Sequence, residues 1–119
     1  MIVGIGIDII ELNRIEKMID GKLKFLERIL TDSEGNVAKG LKGSRLTEFV
    51  AGRFAAKEAY SKAVGTGIGK EVSFLDIEVR NDDRGKPILI TSTEHIVHLS
   101  ISHSKEFAVA QVVLESSSR

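Results

Sequence analysis

Odd and even positions separate in the first ten residues. Val3, Ile5, Ile7 and Ile9 fall on one side of an extended chain, and Ile2, Gly4, Gly6, Asp8 and Ile10 on the other. Period two predicts a strand over 2–10. The period then changes to that of a helix. Leu12, Ile15 and Ile19 share one face of a segment over 11–19, and after Asp20-Gly21 the residues Phe25, Leu26, Ile29 and Leu30 mark a second short helix. Thr31-Asp-Ser-Glu34 has the spacing of a capping box and opens a third. Gly40 and Gly43 bound a loop, after which Ser44 or Thr47 is placed to cap a long helix that ends where Val64 meets Gly65. Downstream the pattern is strand-like. Leu75, Ile77 and Val79 alternate with polar neighbours, 81–86 is a polar turn, and Pro87–Ile90 resumes an extended run suited to an edge. Val97–Ser102 alternates again, and Phe107–Leu114 is apolar at nearly every position except Gln111. Strands at both ends around a helical middle predict an α+β chain of one domain, 1–119, with the long helix packed on a mainly antiparallel sheet.

Two stretches break these patterns in ways that suggest chemistry. In the first strand, two glycines and an acid share one face. Glycine within a strand marks close approach of another backbone or a ligand. Asp8 either caps the helix that follows or sits partly buried, where a carboxylate needs a partner or a metal. In the long helix, Ala51, Gly52, Ala55, Ala56, Ala59 and Ala63 fall within an arc of about 140°, a face with so little bulk that it can lie very close to a sheet. Arg53, Lys57 and Ser61 occupy the opposite half, and Glu58 and Lys62 stand at the border. Glu58, Ser61 and Lys62 are neighbours at i, i+3 and i+4. Gly65, Gly67 and Gly69 follow, more glycine than a cap requires, which fits a loop whose backbone N–H groups face an anion. Together these features predict a site for a metal and phosphates.

Composition narrows the function classes. At 42% hydrophobic, 29% charged and zero formal net charge, the chain reads as soluble, without the basic excess of a general nucleic-acid binder. No apolar run is long enough to span a membrane. The apolar start is short, contains Asp8 and lacks a basic segment and cleavage site, so it is not read as a signal peptide. The absence of cysteine excludes disulfides and thiolate catalysis and makes a cytoplasmic location the default. GIGIDI fails as a dinucleotide fingerprint because its third glycine would fall at Ile9, and Gly69-Lys70 fails as a Walker A loop because Val64 and Glu71 stand where glycine and a hydroxyl are needed. An apolar final strand is either central in a buried sheet or covered on one face by another subunit. The second reading is favoured in so short a chain, with Gln111 bonding across a symmetry axis.

GIGIDIIELNRIE, GRFAAKEAYSKAVGTGIG and LSISHSKEFAVAQVV, in that order and with FLERIL, SF-DIE and GKP between them, resemble the small holo-acyl-carrier-protein synthase type of phosphopantetheinyl transferase over essentially the whole chain. The resemblance implies transfer of 4′-phosphopantetheine from coenzyme A to a serine of apo acyl carrier protein in fatty acid biosynthesis, dependent on Mg²⁺, with release of adenosine 3′,5′-bisphosphate. It implies Asp8, Glu58 and Lys62 as catalytic residues, with Asp8 and Glu58 as the metal ligands and Lys62 at the pyrophosphate, and Gly65, Thr66, Gly67 and Ile68 around the nucleotide with Arg53 and Ser61 beside them. Arg45 lies in a nucleotide- or carrier-contacting segment where many relatives have a preceding lysine and this chain has Ser44. A homotrimer is implied, with sheets around the three-fold axis and sites at subunit interfaces, so that Pro87, His103 and Ser104 would serve a neighbour's coenzyme A. As an isolated residue His103 would read as structural. Arg14, Lys24 and Phe25 would dock the acidic carrier, with Lys22 and Arg28 as further candidates. Two other readings compete: a non-catalytic module that binds coenzyme A or a nucleotide, and a Mg²⁺-dependent hydrolase that would release nucleotide with no carrier present.

Overall fold

The computed structural model describes residues 1–21 and 23–118. Strand β1 (Ile2–Glu11) leads into three short helices, α1 (Leu12–Gly21), α2 (Leu23–Ile29) and α3 (Asp32–Ala38), and then into the long α4 (Gly43–Val64). A single 3-10 turn, Phe74–Asp76, precedes β2 (Glu78–Asn81), β3 (Pro87–Ile90), β4 (Ile96–His103) and β5 (Phe107–Glu115). β1, β5 and β4 form an antiparallel sheet in that order, and β2 and β3 pair as a separate antiparallel hairpin. No helix among the described residues is long and apolar enough to cross a membrane.

The core lies between α4 and one face of the three-stranded sheet. Ala108, Ala110, Val112 and Leu114 of β5 are buried there with Val50, Ala51, Ala55, Ala56 and Ala59 of α4. The small-residue face does what its lack of bulk allows. A Cβ added at Gly6 would lie 1.9 Å from the carbonyl oxygen of Ala59, and one at Gly4 would lie 2.2 Å from that of Ala63. Strand and helix therefore meet backbone to backbone, and only glycine fits.

The other face of the sheet is bare. Ile5, Ile7 and Ile9 are about 60% exposed, and Gln111 is exposed rather than buried within the chain. The final strand is thus central, and within one chain only its α4 side is covered.

Several local expectations need correction. α4 begins at Gly43 with Lys42 as N-cap and no side-chain cap; Thr47 instead donates back to the Gly43 carbonyl. Phe74–Asp76 is a 3-10 turn rather than strand, because Asp76 and Ser73 close a capping box of their own. β1 continues to Glu11, which leaves Asp8 too early to cap α1. β4 extends one residue past the alternating run, to His103. The capping box at Thr31 and Glu34 forms as expected, and Gly65 ends α4 at φ 99°.

Candidate active site at the β1–α4 contact

The closeness of β1 and α4 determines which side chains meet. Asp8, two residues beyond Gly6 on the same strand face, points along the helix border where Glu58 and Lys62 stand. Lys62 Nζ donates to Asp8 Oδ1 at 3.0 Å and to the Ile7 carbonyl at 3.2 Å. The Asp8 side chain is 12% exposed, and its second oxygen, Oδ2, is buried with no hydrogen-bond partner. A buried carboxylate oxygen left unpaired is costly. Burial pushes the Glu58 carboxyl above the usual glutamate range and the Asp8 charge adds to this, while Lys62 and Arg14 pull it back. Two carboxylates, a lysine and Arg14 thus share one field at the edge of the sheet.

This donor set fits a hard divalent cation. Mg²⁺ is held typically by one or two carboxylates, with waters and substrate phosphates completing the shell. Asp8 Oδ2 is an acceptor in need of a partner, and Glu58 is a second acid whose pKa is raised first by burial and then by the Asp8 charge, both of which a nearby cation would offset. No cluster of three or more acidic, His or Cys side chains occurs among the described residues.

The other expected site residues are divided. Arg53 lies over the Phe49 ring, 4.1 Å from its centroid, with Nε buried and unpartnered; burial lowers its pKa, and Glu34 opposes the shift. Arg45 is exposed in the first turn of α4, and Pro87 opens β3 in a half-buried position. His103 Nδ1 is 3.7 Å from Glu48 of its own α4. The Ser104 hydroxyl accepts the Glu106 and Phe107 amides in the tight turn between β4 and β5. Arg14 and Lys24 are exposed, as is Arg28; Phe25 is half-buried, its ring 6.4 Å from that of Phe54. Lys22 lies outside the described residues.

Two expectations do not hold. The amides of Gly65, Thr66 and Gly67 all point to the Ser61 carbonyl, at 3.0, 3.2 and 3.1 Å, and that of Gly69 to the Val72 carbonyl at 2.8 Å. These N–H groups close the turn and do not face an anion. The Thr66 hydroxyl donates to the Gly67 carbonyl, and Ile68 is half-buried. Ser61 and Lys57 do not lie on a ligand-facing surface either. Both are fully buried, Ser61 donating to the Glu58 carbonyl at 2.7 Å and Lys57 paired with Glu34. The end of α2 and the start of α3 cover Lys57, through the Ile29 carbonyl and Glu34.

Residues 4–113 match the model of the 4′-phosphopantetheinyl transferase superfamily. The chain belongs to this superfamily. It is 98% identical over 119 residues, the whole of both chains, to a protein of Bacillus cereus strain AH187 named holo-[acyl-carrier-protein] synthase. The crystal structure of a holo-(acyl-carrier-protein) synthase from Bacillus anthracis, in complex with CoA (3′,5′-ADP), superposes with a TM-score of 0.95 at 93% identity, covering 98% of this chain and 99% of that one. The Helicobacter pylori enzyme in complex with coenzyme A gives 0.82 at 43% identity, covering 93% and 99%. The interaction that sequence reasoning missed is the buried pairing of Glu34 with Lys57, which lies outside the β1–α4 site; the N3 place of Glu34 in a capping box explains the residue locally and conceals that pairing.

Proposed function

We propose that this protein transfers 4′-phosphopantetheine from coenzyme A to a serine of apo acyl carrier protein, in the cytoplasm and with Mg²⁺ as cofactor, releasing adenosine 3′,5′-bisphosphate. The observation that carries the reading is the unpartnered Asp8 Oδ2 beside Glu58 and Lys62, in a chain 98% identical to proteins named for this activity. Asp8 and Glu58 would hold the metal. When bound, Mg²⁺ supplies neutralising charge at the pyrophosphate and acidifies a water in its shell.

The chain's own groups do the rest. The carrier serine gives up its hydroxyl proton to solvent as its oxygen forms a bond to the phosphorus that carries pantetheine, the bridging P–O bond of the pyrophosphate breaks, and the bisphosphate leaves with the electron pair. Such a transfer asks mainly for positioning and charge compensation. Lys62, half-exposed at its tip and anchored by Asp8 and the Ile7 carbonyl, is placed to meet the charge that gathers on the leaving group. Arg45 and Arg53 add positive charge along α4. Arg14, Lys24 and Phe25 are the docking surface for an acidic carrier, where charge complementarity steers encounter.

The bare sheet face supports a homotrimer, in which Pro87, His103 and Ser104 of one copy complete the coenzyme A pocket of the next. A continuous exposed aliphatic column is the usual mark of an interaction surface. Gln111→Arg places a charge in the middle of that face and is expected to lower the mass in light scattering at micromolar concentration and to reduce activity with it. A variant with unchanged mass, or a monomer with full activity, would contradict the shared site.

The deciding assay mixes the protein, apo carrier, coenzyme A and Mg²⁺. The carrier is expected to gain the mass of one phosphopantetheine on a serine, and to gain none when chelator replaces the metal. No gain with a competent carrier, or release of the bisphosphate when no carrier is present, would remove the proposal in favour of a binding module or a hydrolase.

A further inference from the structure

The interior holds a charged pair that the proposed reaction leaves unused. Lys57 and Glu34 are 0% and 2% exposed. Lys57 Nζ donates to Glu34 Oε1 and to the Ile29 carbonyl, both at 2.6 Å. Glu34 Oε1 also accepts the Thr31 amide at 2.9 Å, and Oε2 accepts the Val79 amide at 2.7 Å. Burial lowers the Lys57 pKa, and hydrogen bonding and the charge of Glu34 oppose that shift.

Stability alone is a poor reason for such a pair, because well-packed apolar residues of similar volume often serve equally well or better. What the pair uniquely supplies is geometry. Its hydrogen bonds gather the last carbonyl of α2, the start of α3, the strand β2 and the middle of α4 at one point, and the α4 member immediately precedes Glu58. α2 is a seven-residue helix, too short to be stable by itself in water. It carries Lys24 and Phe25, and the ring pair Phe25–Phe54 supplies further contact with α4.

We infer that the buried Lys57–Glu34 pair is a positioning device that holds α2 in order against α4, so that an acidic carrier meets a docking surface already formed. The inference rests on the functional reading above. A surface ordered before binding spares the complex the cost of ordering it, and the loss of that order raises KM while sparing the chemical step.

The test is the neutral double variant Glu34→Gln/Lys57→Met, which removes both charges and nearly preserves volume. It is expected to fold, to raise KM for the carrier by about tenfold while kcat and KM for coenzyme A stay within about twofold, and to speed amide hydrogen exchange across 24–30. Where the double variant does not accumulate as folded protein, Glu34→Asp, which keeps both charges but shortens the reach to Lys57 and to the Val79 amide, is measured in the same way, with the same pattern expected at smaller amplitude. A carrier KM within about twofold of the parent's, or a joint loss in all three constants, overturns the inference. If the parent protein does not modify the carrier at all, the functional reading fails. Hydrogen exchange across 24–30 then still decides the ordering role, and an unchanged rate in the variant refutes it.

Discussion

A Gly6→Ala variant is expected to lose about 3 kcal/mol or more of folding stability. The added methyl would stand 1.9 Å from the Ala59 carbonyl oxygen and 2.7 Å from the Ala63 nitrogen, both backbone atoms that cannot turn aside as a side chain can. Helix and strand must move apart. For a domain whose total stability is about 5–15 kcal/mol this is a large fraction. The separation also moves Asp8 away from Glu58 and Lys62, so residual folded protein should show activity reduced beyond the folded fraction. Urea denaturation followed by circular dichroism measures the first effect and carrier modification the second. Gly35→Ala is the control, since a methyl there meets nothing within 4 Å inside α3, and it should gain about 0.5–1 kcal/mol. Equal midpoints for Gly6→Ala and the parent would mean that the backbone contact is not fixed as described.

Glu58→Gln is expected to reduce turnover by about two orders of magnitude or more while raising thermal stability at neutral pH. The two effects have one cause. Burial and the Asp8 charge raise the Glu58 pKa. A carboxyl raised in this way supports the fold below its unfolded-state pKa, and that support is lost as pH rises through the folded value. Above it, the ionised group is held in a partly buried place against the Asp8 charge. The neutral amide removes that repulsion, so the stability advantage of Glu58→Gln over the parent should be present at pH 7–8 and shrink as acid protonates Glu58. Turnover should run the other way and rise as Glu58 ionises. A variant that keeps its activity without added metal, or whose melting temperature falls at neutral pH, would contradict the assignment.

The elements were legible wherever one face of a periodic segment is buried. β1, β4, β5 and α4 follow from alternation and from the small-residue stripe, and the glycines of β1 announced a close backbone contact by their place on one face. Asp8, Glu58 and Lys62 were legible as candidates for the same reason, since each borders that contact. What the sequence hides is coverage. Lys57 and Ser61 lie on the wheel half opposite the small-residue stripe, and nothing in their local spacing tells that both are fully buried. The Glu34 partner lies 23 residues away, behind a capping box that already explains its identity. The Gly65–Gly69 turn was misread for a related reason. Glycines report that a turn needs unusual backbone angles, as at Gly65 and Gly67, but not which carbonyls its N–H groups will meet, and here those are Ser61 and Val72.

The isoleucine column on the outer face of β1 also has a consequence for the life of the newly made chain. Ile5, Ile7 and Ile9 are satisfied by nothing within one copy, so a solitary folded molecule presents the kind of surface that chaperones and proteases recognise. In the proposed homotrimer, how long a molecule stays in that exposed condition depends on how soon a second copy arrives, which is a matter of abundance. Low copy number therefore should shorten its lifetime in the cell, and the usable amount of protein should rise more steeply than the rate at which it is synthesised.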